Sequence, residues 1–185
     1  MIAFTHLRRA NKERGQVVLE FLPVALLLMT LTFAVVDFSY FIWQSQVIIG
    51  LTREGSNIAS RDTTLAGAAT AITQDATVMH LNLTTKGKVI ITTVQNTGTS
   101  AKPNFVVTGQ YSTGSLSGTS KVGAYNAQTP QTATIPSAVP GTPPVPQPGA
   151  TLYITEIYTS FSPITPLGVF VKYTLPTKMY DVAYF

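Results

Sequence analysis

Cysteine is missing from all 185 residues, which excludes disulfides and thiolate metal sites and leaves the redox compartment unread. Histidine is nearly missing. His6 lies in a basic N-terminal stretch and His80 stands alone, too few for a histidine metal cluster or a Ser-His-Asp arrangement. No phosphate-cradling glycine motif follows a predicted strand, and "GTSKVG" at 118–123 lacks P-loop spacing. No enzyme site, cofactor or metal is therefore expected, and elimination points to a non-catalytic role.

Charge is scarce as well, at 11% of residues, with a formal net charge of +4. Four of the twelve basic side chains, Arg8, Arg9, Lys12 and Arg14, fall in the first fourteen positions. Without residues 1–15, which also hold Glu13, eight basic and seven acidic side chains remain. So balanced a remainder carries no nucleic-acid footprint, and no nucleic-acid partner is expected; the basic cluster reads as a topology signal.

What is present is one long apolar run. Between residues 17 and 36 the only charged residue is Glu20, and twenty such residues are about what a helix needs to cross a hydrocarbon core of ~30 Å. Basic residues precede the run and Asp37 follows it, which keeps the amino terminus cytoplasmic and exports everything beyond. Phe38, Tyr40, Phe41 and Trp43 come next, as an aromatic belt at the outer interface requires. The apolar character continues past Ile49 with no small-residue cleavage site behind it, unlike an ordinary signal peptide. The helix is expected to reach about Ser60, giving a rod of roughly 65 Å from Gln16 of which only the first half fits in a bilayer.

Glu20 and Pro23 interrupt this run. A carboxylate in such a segment is expensive and marks a functional candidate. The plainer reading places Glu20 near a helix start in the headgroup region, favoured by the macrodipole by about 0.3–1 kcal/mol. Pro23 removes the donor to the carbonyl of Leu19; it reads equally as a kink that loosens on assembly or as a proline tolerated in a membrane helix.

The leader ends in Gly15, four residues follow, and then come Glu20 and Phe21. This resembles the class III signal of type IV pilin-like proteins. The resemblance implies cleavage by a prepilin peptidase between Gly15 and Gln16, with Glu20 fifth in the mature chain and paired to the free amino terminus of a neighbouring subunit. A cation would satisfy a desolvated carboxylate. Val18, Phe21, Leu22, Ala25 and Leu28 are candidate packing positions between subunits.

Beyond the run, Asp37 and Phe38 are followed by Arg53, Glu54 and Gly55 in "DFSYFIWQSQVIIGLTREG", and "LYITEIYTSFSPITPL" stands at 152–167. In this order the pieces resemble the TadE-like pseudopilins of the tight-adherence type IV system, over about residues 8–61 and 151–167. Read without the resemblance, Arg53 and Glu54 form a solvated helix turn and Asp37 fixes depth at the span end.

After Asp62, a candidate N-cap, Leu65, Ala68, Ala69, Ile72, Ala76 and Met79 recur on one helical face. From Lys88 onward β-branched and aromatic runs appear as "KVIITTVQ", "NFVVTGQY", "TLYITEIYTSF" and "GVFVKYTL", separated by Gly, Pro and Asn. In the third, Leu152, Ile154, Glu156 and Tyr158 share one face. Residues 112–150 hold seven of the twelve prolines and are expected to be largely an extended, mobile surface loop.

The expected organisation is a basic leader at 1–15, a transmembrane and extended helix at 16–61, and an exported head at 62–185. Its class is α+β: a long helix, a second short one, and an antiparallel sheet of about four strands. The functional expectation is a pilin-like subunit in the inner membrane, exported into or at the base of a pilus. Its expected partners are the prepilin peptidase, other pilin subunits, an inner-membrane assembly platform and the lipid bilayer. The alternative is an uncleaved single-span envelope protein whose head binds a partner or glycan.

Overall fold

The computed structural model describes residues 3–61, 64–135, 146–168 and 173–185, with side chains of the first helix described from Leu19 onward. Helix α1 runs Ala3–Ser60, α2 Leu65–Val78 and α3 Leu83–Lys86. The strands are β1 Gly87–Asn96, β2 Phe105–Thr113, β3 Gln131–Thr132, β4 Thr151–Ser160 and β5 Lys178–Tyr184. They form one antiparallel sheet in the order β3-β2-β1-β4-β5, so the class is α+β, with four long strands and a two-residue fifth.

By internal contacts the chain forms two units, Met1–Phe41 with Ser162–Leu175, and Ile42–Phe161 with Pro176–Phe185. In the first, α1 begins at Ala3, ahead of the expected Gln16, and runs through Pro23 without interruption. Ala3, Leu7, Arg8, Arg9, Ala10, Lys12 and Arg14 in the basic leader are good helix formers, which suits a helical backbone there.

In the second unit the sheet has two covered faces. The register puts Val89, Ile91, Thr155 and Ile157 on one face and Ile90, Thr92, Val94, Ile154 and Glu156 on the other. The first face receives the helices. Gln44, Ile48, Leu51, Thr52, Gly55, Ser56 and Ala59 make a buried stripe on α1 at helical spacing. On α2, Ala68, Ala69, Ile72 and Ala76 are fully buried, as the periodicity requires; Leu65 is half-buried and Met79 is exposed at the helix end. The cap of α2 is Thr64, whose hydroxyl accepts from the amide of Gly67 at 3.0 Å. This replaces the expected Asp62, which lies outside the described residues.

The second sheet face is covered by the chain after β2. Val122 and Ala133 are buried against Val94, Val107, Leu152, Ile154 and Val182. Within the expected loop at 112–150, residues 112–113 belong to β2 and 131–132 form β3, while the rest of 114–135 is largely exposed and irregular apart from the buried Val122 and Ala133. Two small apolar side chains and a set of hydrogen bonds to Glu156 offset the ordering entropy that composition alone says is too large. At the far end of the stretch, Asn96 donates through Nδ2 to the Pro146 carbonyl at 2.8 Å, and its own carbonyl accepts from the amide of Gly149 at 2.8 Å. Residues 136–145 lie outside the described residues.

One expected strand is displaced. The described residues of "GVFVKYTL" form no strand, and β5 is "KMYDVAY" instead. Asp181 and Ala183 interrupt the apolar pattern of β5, so local composition does not mark it as a strand. Residues 169–172 of the expected strand lie outside the described residues.

Candidate assembly and anchoring surface

From Leu19 to Val36 every side chain of α1 is exposed or half-buried in the single chain. Leu22, Leu28 and Phe21 are exposed, Ala25 is half-buried, and Glu20 is exposed on the same stretch. Side chains of Gly15, Gln16 and Val18 lie outside the described residues. Leu19–Ser60 is long and apolar enough to cross a membrane, the one such helix among the described residues. So much apolar surface needs lipid or another protein to cover it.

Just past the end of the apolar run one residue is buried. Asp37 is fully buried, although it is a carboxylate. Its Oδ1 accepts from the amides of Ile164 and Thr165, both at 3.0 Å, and its Oδ2 from the Thr165 hydroxyl at 2.5 Å. Three donors satisfy the acid, as burial demands. Two stretches singled out separately in the sequence, Asp-Phe and Ser-Pro-Ile-Thr-Pro, thus meet through one side chain. Phe38 points outward and is exposed.

The Arg53-Glu54-Gly55 triplet divides. Arg53 and Glu54 are exposed, while Gly55 is buried against the sheet. A Cβ placed on Gly55 would stand 2.3 Å from Ile72 Cδ1 and 2.9 Å from Thr155 Cγ2, so α1, α2 and β4 meet where only hydrogen fits. About one turn before it and at the next residue, helix hydroxyls stitch α1 to the sheet. Thr52 donates to the Asp181 carboxylate, and Ser56 Oγ donates to the Ala183 carbonyl at 2.9 Å while accepting from the Thr155 amide at 3.2 Å.

The carboxylate that sequence reasoning passed over is Glu156. It is fully buried and accepts from the Ser120 hydroxyl, the Lys121 amide at 2.8 Å and the Tyr180 hydroxyl at 2.9 Å. The Lys121 ammonium lies 3.5 Å from the centre of the Tyr180 ring, a cation–π contact. Burial pushes the Tyr180 phenol far above its ordinary range, with the Glu156 charge adding to the shift. The same causes, in the same order, push Tyr158 up to about 12. An acid in the middle of an apolar strand face was the available signal. Among the described residues no group of His, Cys, Asp and Glu side chains gathers as a metal site.

Among the described residues the chain thus contains a long helix, apolar and uncovered over residues 19–36, and an α+β sheet unit. The sequence model of the TadE-like protein family matches residues 15–57. That match starts at Gly15, takes in Glu20, Asp37 and the Arg53-Glu54-Gly55 triplet, and leaves the sheet outside it. No curated protein and no solved structure matches the chain.

Proposed function

We propose that this chain is a non-catalytic structural subunit of a tight-adherence type IV pilus, cut by a prepilin peptidase between Gly15 and Gln16. The observation that carries this reading is the TadE-like match beginning at Gly15 and running along a helix exposed and apolar over residues 19–36. Before assembly the helix sits in the inner membrane with the head exported. During assembly an inner-membrane platform draws the subunit out, and the helices of neighbouring pilin subunits replace lipid around Phe21, Leu22, Ala25 and Leu28. Apolar area buried this way contributes about 25 cal/mol per Å². Glu20 pairs with the new amino terminus of the adjoining subunit, a pairing that gives a desolvated carboxylate its cation.

The test is the intact mass of membrane-extracted protein from cells that contain the peptidase, together with the pilus content of two variants. Native protein is expected to lack residues 1–15. Gly15→Leu is expected to stay uncut; Glu20→Ala is expected to be cut yet enter pili poorly. A native chain that keeps residues 1–15 would instead establish the uncleaved envelope protein, and normal assembly of the Glu20 variant would remove Glu20 from the mechanism.

A further inference from the structure

Strands β4 and β5 are antiparallel neighbours, yet the connection between them, from residue 161 to residue 177, is seventeen residues long. Hairpin connections usually take two to five residues. Loops over a protein surface are normally polar, because water is their solvent. This one, "FSPITPLGVFVKYTLPT", holds a single charged residue, Lys172. Phe161 at its start is buried and Leu167 and Leu175 are half-buried, but two large apolar side chains face outward: Ile164 is 61% exposed and Tyr173 is 80% exposed.

Its position explains the composition. Ser162–Leu175 groups with Met1–Phe41, the part of the chain that contains the apolar run. The Asp37 carboxylate, one residue past the end of that run, holds the amides of Ile164 and Thr165. The connection is thereby tied to α1 at the depth where a membrane span gives way to the outer interface, next to the exposed Phe38. Tyrosine is favoured at that depth, its ring in the apolar layer and its hydroxyl in the headgroups.

We propose that the described residues Ile164 and Tyr173 of the β4–β5 connection make a second membrane contact, a foot inserted into the outer leaflet of the bilayer beside the single span. The partner is a lipid surface. The proposal rests on the membrane-anchored reading of α1, and the contact is interfacial, since the Asp37 hydrogen bonds fix the turn at the end of the run. Asp37 acts as the positioning residue for the foot.

The absence of cysteine makes the test clean. Full-length protein is reconstituted in phosphatidylethanolamine–phosphatidylglycerol nanodiscs with one introduced cysteine at a time: Ile164→Cys, Tyr173→Cys, Leu27→Cys within the run, and Thr99→Cys on an exposed head turn. Each carries an environment-sensitive fluorophore, read against an aqueous quencher and against lipids with quenchers at shallow or deep acyl positions. The foot predicts quenching of the 164 and 173 probes by shallow lipid quenchers, of the 27 probe by deep ones, and of the 99 probe by the aqueous quencher alone. Probes at 164 and 173 that behave like the one at 99, while 27 stays lipid-quenched, overturn the foot and leave the span standing. Aqueous quenching at 27 would remove the span and the foot together. Shielding of 164 and 173 from every quencher would place protein, not lipid, over this surface and likewise overturn the proposal. In the Asp37→Ala background the 164 probe is expected to shift toward the aqueous quencher while the 27 probe does not move; an unshifted 164 probe would deny Asp37 the positioning role.

Discussion

Asp37 and Thr165 stand 128 positions apart in sequence and share two hydrogen bonds, one to the backbone amide at 3.0 Å and one to the hydroxyl at 2.5 Å. With the Ile164 amide as third donor, the pair ties a turn at the far end of the chain to the residue that ends the apolar run. A residue that looked like a depth marker is also a tertiary clasp.

Removing that clasp leaves donors without a partner. Asp37→Ala is expected to cost about 1.5–3 kcal/mol for each hydrogen bond to the carboxylate that is lost, localised to the turn at Ile164 and Thr165. Hydrogen exchange at the Ile164 and Thr165 amides is expected to accelerate while exchange in β1 and β4 stays unchanged. Slow exchange at both amides in the variant would show that the clasp is dispensable.

Gly55 and Gly50 lie on the same helix with opposite surroundings. A Cβ at Gly55 meets Ile72 and Thr155, whereas one at Gly50 meets nothing within 4 Å. Gly55→Ala is therefore expected to destabilise the head by about 1–3 kcal/mol through overpacking. Gly50→Ala is expected to stabilise it by roughly 0.5–1 kcal/mol through helix propensity. Denaturant midpoints of the two variants are predicted to move in opposite directions, and a shared direction would contradict the packing described for Gly55.

His80 ends α2 with φ of 56°, in the left-handed region that favours glycine. The amide of Leu81 reaches the Ala76 carbonyl at 2.8 Å and that of His80 the Thr77 carbonyl at 3.0 Å, a Schellman closure. His80→Gly keeps both bonds and removes the left-handed penalty, so a gain of about 1 kcal/mol is expected, read as a higher melting temperature. A lower melting temperature would give the imidazole a structural role.

The Tyr158 and Tyr180 phenols are held neutral in the folded head, by burial first and the Glu156 charge second. Unfolded tyrosine releases its proton near pH 10. Below that, both states hold the proton and stability is insensitive to these groups; above it the unfolded chain loses protons first, so stability falls as pH rises. The loss runs from pH 10 through about 12 for Tyr158 and further for Tyr180. Ultraviolet titration of phenolate in folded protein is expected to lose one late-titrating phenol in Tyr158→Phe and another in Tyr180→Phe. Loss in either variant of absorbance that appears near pH 10 would refute the shielding.

Local periodicity carried the elements it could. Twenty nearly uncharged residues announced the long apolar helix, and the three-and-four spacing of Ala68, Ala69, Ile72 and Ala76 announced α2. Three of the four long strands announced themselves by β-branched runs. The fourth was misplaced because β5 carries Asp181 on its helix-facing side, where Thr52 answers it. Gly55 was singled out as part of a triplet, but its neighbours Ile72 and Thr155 could not be named.

From the chain of letters alone came the long apolar run, the basic stretch before it, the amphipathic second helix and the α+β character of the head, because each is a repeat of side-chain chemistry over a few neighbouring residues. Only the folded chain decided that Asp37 would find the Ile164 and Thr165 amides, that Glu156 would draw the Ser120 and Lys121 segment over the sheet, and that α1, α2 and β4 would close on Gly55. Those choices join residues tens to more than a hundred positions apart. Such contacts form only when the packed core repays the entropy of closing the intervening loops, and no local pattern records that balance.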